Sequence, residues 1–150
     1  MDNLPSAIRQ SKPKGDIVAL AYILIIACVV QIFVGFVLIA IAIALPNNDY
    51  LFIYLPQWTF AFLAVCFPFF GILGAWKALL SSLIIFSIYL GFQLAWNIIY
   101  IILLGLYDTG VAHRVVHIIF AGIEIVLAIV LLVISTAMNG LLVNYYRMQE

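Results

Sequence analysis

The amino-acid sequence predicts an all-α fold, a bundle of four transmembrane helices with short loops and no soluble domain. Hydrophobic residues make up 68% of the 150 residues and charged residues 8%, against roughly 45–50% and 25% in a soluble domain. Four apolar segments each exceed the roughly 20 residues that a helix needs to cross the hydrocarbon core of a bilayer. Because lipid offers the backbone no hydrogen-bond partners, these segments are expected to be helices.

Polar and turn-forming residues separate the four predicted helices. Pro46 follows the first helix, Lys77 lies in the turn between the second and third, and Thr109 with Gly110 follows the third. Pro68 should kink the second helix, because its ring removes one backbone donor. The helices are expected at about residues 17–45, 58–76, 82–106 and 115–137, and an extension of the fourth through LLVNYY stays open. They form a transmembrane domain of residues 17–146 between an N-terminal tail of residues 1–16 and a C-terminal end of residues 147–150.

The basic residues predict the orientation of the helices. Five of the six Lys and Arg residues lie on the side of the two termini and of the turn at Lys77, and Arg114 alone lies on the other side. Basic residues are enriched in cytoplasmic loops, so both termini are expected to be cytoplasmic, in the plasma membrane or an endomembrane. The outer segment PNNDYLFIYLPQ is rich in Tyr, Phe and Leu, and we expect it to lie along the lipid headgroups.

The residue inventory argues against an enzyme. The sequence has no Gly-rich phosphate loop, no HExxH motif and no GxSxG motif, which are the common signatures of nucleotide, zinc and acyl chemistry. Glu124 is the only carboxylate within a predicted span. Basic and acidic residues balance at six each, so no net charge points to nucleic acid. We expect no cofactor, no metal and no nucleic-acid partner.

Polar side chains within the spans form the most informative set. Tyr89, Gln93 and Asn97 follow one another at intervals of four, so they line one face of the third helix. Asn97 and Glu124 each lie nine residues from the outer end of their predicted helices, which places them at similar depth. Gln31 adds a polar side chain from the first helix. We therefore predict an intramembrane polar cluster of Glu124, Asn97, Gln93, Gln31 and Tyr89.

Glu124 needs a specific environment at this depth. An ionised carboxylate there costs about 2.5–3.5 kcal/mol on insertion scales, so we expect Glu124 to be neutral and hydrogen-bonded, most directly to Asn97. Three roles stay open for it: a polar clamp inside the bundle, a contact with a helix of a partner, and an ion or proton site.

Two histidines lie near the outer end of the fourth helix. His113 and His117 stand four residues apart and would share a face of a continuous helix. They are interpreted either as an outer-face pH or metal site or as interfacial side chains that bind water and headgroups. Two ligands fall short of the four that structural zinc requires.

Small residues predict the faces on which the helices pack. Ser87, Gly91 and Ala95 recur at every fourth position of the third helix, and Gly71 with Gly74 flattens the second helix near its inner end. Such positions let helix backbones approach closely. Most of them are expected to serve contacts within the bundle.

Four segments in the region from roughly Gln57 to Ile134 resemble a known family. They are PQW before the second helix, GILGAW at its inner end, AWNIIYIILLGLYDTG in the third helix and VVHIIFAGIEIVLAIV at the start of the fourth. In these segments the chain is similar to the small four-span proteins that interact with the Na,K-ATPase. The resemblance implies a regulatory subunit that associates with the sodium pump through its helices and has no catalysis of its own. The matching positions, with structural roles implied, are Trp58, Trp96, Asn97 and His117.

These observations predict a non-enzymatic tetraspan accessory or regulatory subunit. It would associate laterally with a larger membrane protein, a transporter or an ion pump such as the Na,K-ATPase, and a homo-oligomer is a further expected assembly. One alternative is a small oligomeric ion or proton transporter or channel that uses Glu124. A second is a MARVEL-like membrane-organising or vesicle-trafficking protein, because such families share topology more than sequence.

Overall fold

The computed structural model describes residues 14–44, 51–107 and 111–147, and all regular secondary structure in these ranges is α-helical. The helices are α1 Lys14–Ala44, α2 Leu51–Cys66, α3 Pro68–Lys77, α4 Leu80–Tyr107 and α5 Val111–Arg147. Since α2 and α3 together form one span, the described chain has four helical segments that are long and apolar enough to cross a membrane. The predicted fold class is therefore confirmed.

Helix α2 begins at Leu51 rather than at residue 58, so the part of the outer segment that the structure describes is helical. Two of its side chains, those of Tyr54 and Gln57, are buried and contact α4. The Tyr54 ring is buried and meets the ring of Tyr100 edge-on, with the centroids 6.3 Å apart. Gln57 is also buried, and its Oε1 accepts a hydrogen bond from Trp96 Nε1.

Helix α5 continues to Arg147 rather than ending at residue 137. Its last turns carry the buried side chains of Met138 and Leu142, which extend the core to this end of the bundle. The Tyr146 hydroxyl donates a hydrogen bond to the carbonyl oxygen of Ala78 at 3.1 Å. The C-terminal turns of α5 are thus held against the turn between α3 and α4.

The helices pack as neighbours in a ring. Helix α1 packs against α2, α3 and α5, while α4 packs mainly against α5 and α3 and has limited contact with α2. Ile17, Ala78 and Tyr145 belong to one buried cluster, which places the start of α1, the α3–α4 turn and the end of α5 at one end of the bundle. We call it the Lys77 end, and the opposite end the His117 end. The side of the membrane that each end faces stays a prediction.

Two apolar clusters form the core and follow one another along the bundle. On α4, the cluster nearer the Lys77 end reaches Leu90 and the second cluster begins at Tyr100. On α5, the same two clusters are bounded by Ala128 and Ala121. The buried stretches of both helices between these bounds carry Gln93, Asn97 and Glu124, which therefore form a layer between two apolar parts of the core.

The predicted kink in the second span lies at Pro68. Helix α2 ends at Cys66, and Phe67 still donates its N–H to the carbonyl oxygen of Leu63 at 2.8 Å. Pro68 starts α3 and has no N–H with which to continue the helix. The Phe67 ring stacks on the ring of Tyr89, with the centroids 4.3 Å apart, so the kinked region packs against α4.

Gly71 and Gly74 allow the close packing that the sequence predicts for them. A Cβ added at Gly71 would lie 2.8 Å from Cys28 Sγ on α1 and 2.8 Å from the Phe86 ring on α4. A Cβ at Gly74 would lie 2.6 Å from Leu83 Cγ. Both distances are shorter than van der Waals contact allows, so only glycine fits at these positions without a shift of the neighbours.

The predicted packing face of α4 is wrong for two of its three residues. Gly91 and Ala95 are exposed, and within the described chain a Cβ added at Gly91 would meet nothing within 4 Å. Helix α4 is rotated about its axis so that Leu90 and Gln93 are buried. In this orientation Gly91 and Ala95 point away from the bundle. Ser87 alone of the three reaches a neighbouring helix, by a hydrogen bond described below.

Candidate functional site

All five residues of the predicted polar cluster are buried. Gln31, Gln93, Asn97 and Glu124 have no exposed surface, and Tyr89 is 5% exposed. The spacing of four residues on α4 turns its three members into the bundle, and Glu124 faces them from α5. A contact between Glu124 and a partner's helix would require this layer to open, so the buried arrangement favours the roles inside the bundle.

The Glu124 carboxyl is held by amide side chains. Gln93 Nε2 donates a hydrogen bond to Glu124 Oε1 at 3.2 Å, and Asn97 and Gln57 also lie close enough to interact with the carboxyl. The hydrogen bond that we expected from Asn97 is not formed, because neither of its amide atoms has a partner among the described residues. Gln93 takes the place predicted for Asn97.

The register between α4 and α5 explains why Gln93, rather than Asn97, bonds to Glu124. The Tyr100 hydroxyl and His117 Nδ1 are 2.9 Å apart across the two helices. Gln93 lies seven residues before Tyr100, and Glu124 lies seven residues after His117, which is about two turns along each antiparallel helix. Glu124 is therefore level with Gln93, and Asn97 lies about one turn nearer to the His117 end.

The polar layer has more hydrogen-bonding capacity than its side chains use. Among the described residues, no partner is found for Glu124 Oε2, Gln93 Oε1, both amide atoms of Asn97, both amide atoms of Gln31 or the Tyr89 hydroxyl. A buried polar group without a partner costs about 1–3 kcal/mol. Such a concentration of unpartnered atoms marks this layer as the candidate site of the protein.

Gln31 reaches the layer from α1. Val30 and Val34 of α1 line one shallow groove with Ile123 and Leu127 of α5, so Gln31 lies at about the membrane level of Glu124. Its side chain is fully buried and does not line this groove. Helices α1, α4 and α5 thus each place at least one polar side chain at this depth.

His117 lies inside the bundle rather than on an exposed outer face. It is 6% exposed, and its ring lies 5.3 Å from the ring of Tyr54, centroid to centroid. Together with the Tyr100 contact, this makes His117 part of the core at its end of the bundle. The His113 side chain lies outside the described residues. In the described part of the chain, no group of three or more His, Cys, Asp or Glu residues could hold a metal ion.

Gln57 and Trp96 form a contact that sequence reasoning missed. Trp96 Nε1 donates to Gln57 Oε1 at 2.7 Å, and the indole stacks on Phe60 with a centroid distance of 5.5 Å and an interplanar angle of 4°. Trp58 and Trp96 both pack against the apolar cluster at the His117 end. A glutamine followed by a tryptophan at the predicted start of the second span was the available signal.

A second polar network lies nearer the Lys77 end and is not among the sites predicted from the sequence. Ser87 Oγ is 2.9 Å from Ser135 Oγ and donates to the carbonyl oxygen of Leu83 at 2.8 Å. Asn139 Nδ2 donates to Ser87 Oγ at 3.4 Å. Ser135 and Asn139 are four residues apart, and this spacing on one face of α5 was the signal. The network joins α4 and α5 below the polar layer.

Replacing Ser135 with alanine is expected to lower the free energy of unfolding by about 0.6–2 kcal/mol, the usual contribution of an interhelical hydrogen bond in a membrane protein. Unfolding of the detergent-solubilised protein by denaturant measures this. Thr136→Ala is the matched control, because Thr136 is exposed and its hydroxyl should contribute little. Equal losses for both variants would contradict a role of the Ser87–Ser135 bond.

The side chains of this site offer a carboxyl and amide groups that can bind a small ligand. Glu124 has amides as neighbours, and within the described part of the chain no second carboxylate, histidine or cysteine makes a hydrogen bond to it. The site can hold a proton or a cation at a carboxyl surrounded by carbonyl-type oxygens. Amides and a carboxylate are typical ligands of hard cations.

Comparisons of this chain with protein-family models, with curated proteins and with solved structures gave no match. The resemblance to the four-span proteins that interact with the Na,K-ATPase stays a prediction from the sequence.

Proposed function

We propose that this protein is a non-enzymatic tetraspan accessory or regulatory subunit that associates laterally, through its helices, with a larger membrane protein such as a transporter or an ion pump. The exposed side of α4 is the observation that carries the proposal. Gly91 and Ala95 lie there uncovered by any described helix. Small residues at this spacing let another helix approach closely.

An apolar groove beside these residues supports the same proposal. It is lined by Phe60, Leu63 and Phe67 on one side and by Ile85, Ile88 and Phe92 on the other. The groove exists because α2 and α4 have limited contact. A transmembrane helix of a partner could place its side chains in the groove while its backbone approaches Gly91. Such a contact would be apolar, because the buried polar side chains of this protein face the interior of the bundle.

Purification from membranes in mild detergent, followed by mass spectrometry, tests the proposal. We expect the wild-type chain to carry a larger membrane protein with it, and Gly91→Leu to lose that partner because leucine keeps the two helices apart. Gly140→Leu is the matched control, since Gly140 is also exposed with open space around its Cβ. Recovery of the wild-type chain alone in every detergent would refute lateral association. If Gly91→Leu retained the partner, this face of α4 would be excluded as the binding surface.

A small ion or proton transporter is the second candidate function, and the polar layer favours it. The described interior carries polar side chains from His117 through Glu124 to Ser135 and Asn139. Transporters commonly place ionisable residues near the middle of the bilayer, facing the interior of the bundle. If the protein carried an ion or proton flux in reconstituted liposomes and Glu124→Gln abolished it, transport would be favoured over lateral association as the function.

A further inference from the structure

The polar layer holds three oxygen atoms without partners among the described residues. They are Glu124 Oε2, Gln93 Oε1 and Asn97 Oδ1, and all three side chains are fully buried. Gln93 is bonded to the carboxyl through its amide nitrogen, and Asn97 lies within interaction range of the same carboxyl. Two adjacent helices therefore contribute a carboxylate and two amide side chains to the same layer, and each of the three side chains has an oxygen atom without a partner. Oxygen atoms of these types are the ligands that hard cations prefer.

The charge of the layer limits the cation to a monovalent one. The six basic residues of the chain lie near the ends of the spans or outside them, and the one on α5 nearest in sequence, Arg114, comes ten residues before Glu124, about 15 Å along the helix. Within the described part of the chain, an ionised Glu124 thus has no positive side chain beside it. One monovalent cation would make the layer neutral, as the bilayer interior requires, whereas a divalent ion would leave a net positive charge.

A bound proton would also neutralise Glu124, but it would use fewer of the oxygen atoms. One carboxyl proton can serve one acceptor well, so at least one amide carbonyl of the layer would still lack a partner. A metal cation can be coordinated by all three oxygens at once. Gln31, whose two amide atoms are buried without partners among the described residues, offers a further carbonyl-type oxygen at about this level.

We propose that the polar layer is a binding site for one monovalent metal cation, coordinated by Glu124, Gln93 and Asn97. The site does not depend on lateral association with another protein. It gives the buried carboxylate a function that neither a polar clamp nor a partner contact supplies.

Thermal unfolding of the purified full-length chain in detergent tests the proposal. The protein is kept in choline chloride, which is replaced stepwise by LiCl, NaCl or KCl at constant ionic strength. At least one metal ion is expected to raise Tm by about 5 °C in a saturable manner, because a ligand that binds only the folded state stabilises it. Equal Tm values in all four salts would overturn the proposal and leave a protonated carboxyl.

Variants locate the site. Glu124→Gln is expected to remove the ion-dependent rise in Tm, and Asn97→Ala to shift its midpoint to at least tenfold higher ion concentration. Ser135→Ala, in the separate network of α4 and α5, should keep the full rise even though its Tm in choline is lower. If the ion raised the Tm of Glu124→Gln or Asn97→Ala as it does that of the wild type, the ion would bind elsewhere. That result would overturn the proposed coordination.

Direct binding measurements keep the proposal testable if a variant does not fold. Equilibrium dialysis of the wild-type protein against the isotope of the ion that raises Tm is expected to give one ion per chain. A stoichiometry of zero would overturn the site. The same wild-type sample can be examined for its co-purified partner, so the outcome is independent of the proposed lateral association.

Discussion

Gly71→Ala is expected to lower the free energy of unfolding by about 1–3 kcal/mol, the range seen when an extra methyl group is forced into a packed core. The added Cβ would lie 2.8 Å from both Cys28 Sγ and the Phe86 ring. Both neighbours are fully buried, and they belong to α1 and α4 respectively. Relief of the overlap would require α3 to move away from two helices together. Denaturant unfolding in detergent measures the loss.

Gly91→Ala is the matched control for this experiment. Gly91 is also in a helix, but it is exposed, and no other described helix has an atom within 4 Å of an added Cβ. Alanine is favoured over glycine in a helix by about 1 kcal/mol, so stability should stay the same or rise. A loss in Gly91→Ala as large as that in Gly71→Ala would show that the helices pack differently from the arrangement described.

Glu124→Leu is expected to destabilise the bundle by about 1–3 kcal/mol, because it leaves the buried amide of Gln93 without its acceptor. Glu124→Gln keeps the shape and the hydrogen-bonding capacity of a neutral carboxyl, so it should be tolerated. The comparison is made in choline chloride, which keeps the effect of a metal ion apart from the effect of the hydrogen bond. A Gln variant that is as unstable as the Leu variant would show that the protein needs the negative charge itself.

A double-mutant cycle identifies the residue that holds Glu124. The cycle of Glu124→Leu with Gln93→Leu should give a coupling of about 0.6–2 kcal/mol, since the two side chains share a hydrogen bond. The cycle with Asn97→Leu should give a smaller coupling, because Asn97 makes no hydrogen bond with the carboxyl. A larger coupling to Asn97 than to Gln93 would contradict the register of α4 and α5.

The polar layer shows how far a single helix can be derived from its sequence. The interval of four residues places Gln93 and Asn97 on one face of α4, and the structure buries that face. The depth of each residue was counted from the predicted end of its own helix. That count cannot measure how two helices slide along each other, and the Tyr100–His117 pair aligns Glu124 with Gln93 instead.

The glycines show the same limit for helix packing. Gly71 and Gly91 have the same chemistry and both lie in long apolar segments, so their local sequences assign both to packing faces. Gly71 faces two helices and Gly91 faces none in the described chain. Gly35, which the sequence analysis did not single out, would place a Cβ 2.9 Å from Val65 Cγ2 on α2. Whether a glycine serves close packing therefore depends on whether another helix lies opposite it in the folded bundle.

The sequence by itself determined the all-α class, the number of spans, the kink at Pro68 and the buried polar face of α4. These features depend on composition, segment length, proline chemistry and helical periodicity, all of which act within one segment. Only the tertiary structure decided that Glu124 bonds to Gln93, that Gln57 meets Trp96 and that Gly91 and Ala95 of α4 are exposed. Those features depend on how one apolar helix is rotated and shifted along another. Many apolar side chains satisfy such contacts almost equally well, so the sequence pattern does not distinguish among the possible helix arrangements.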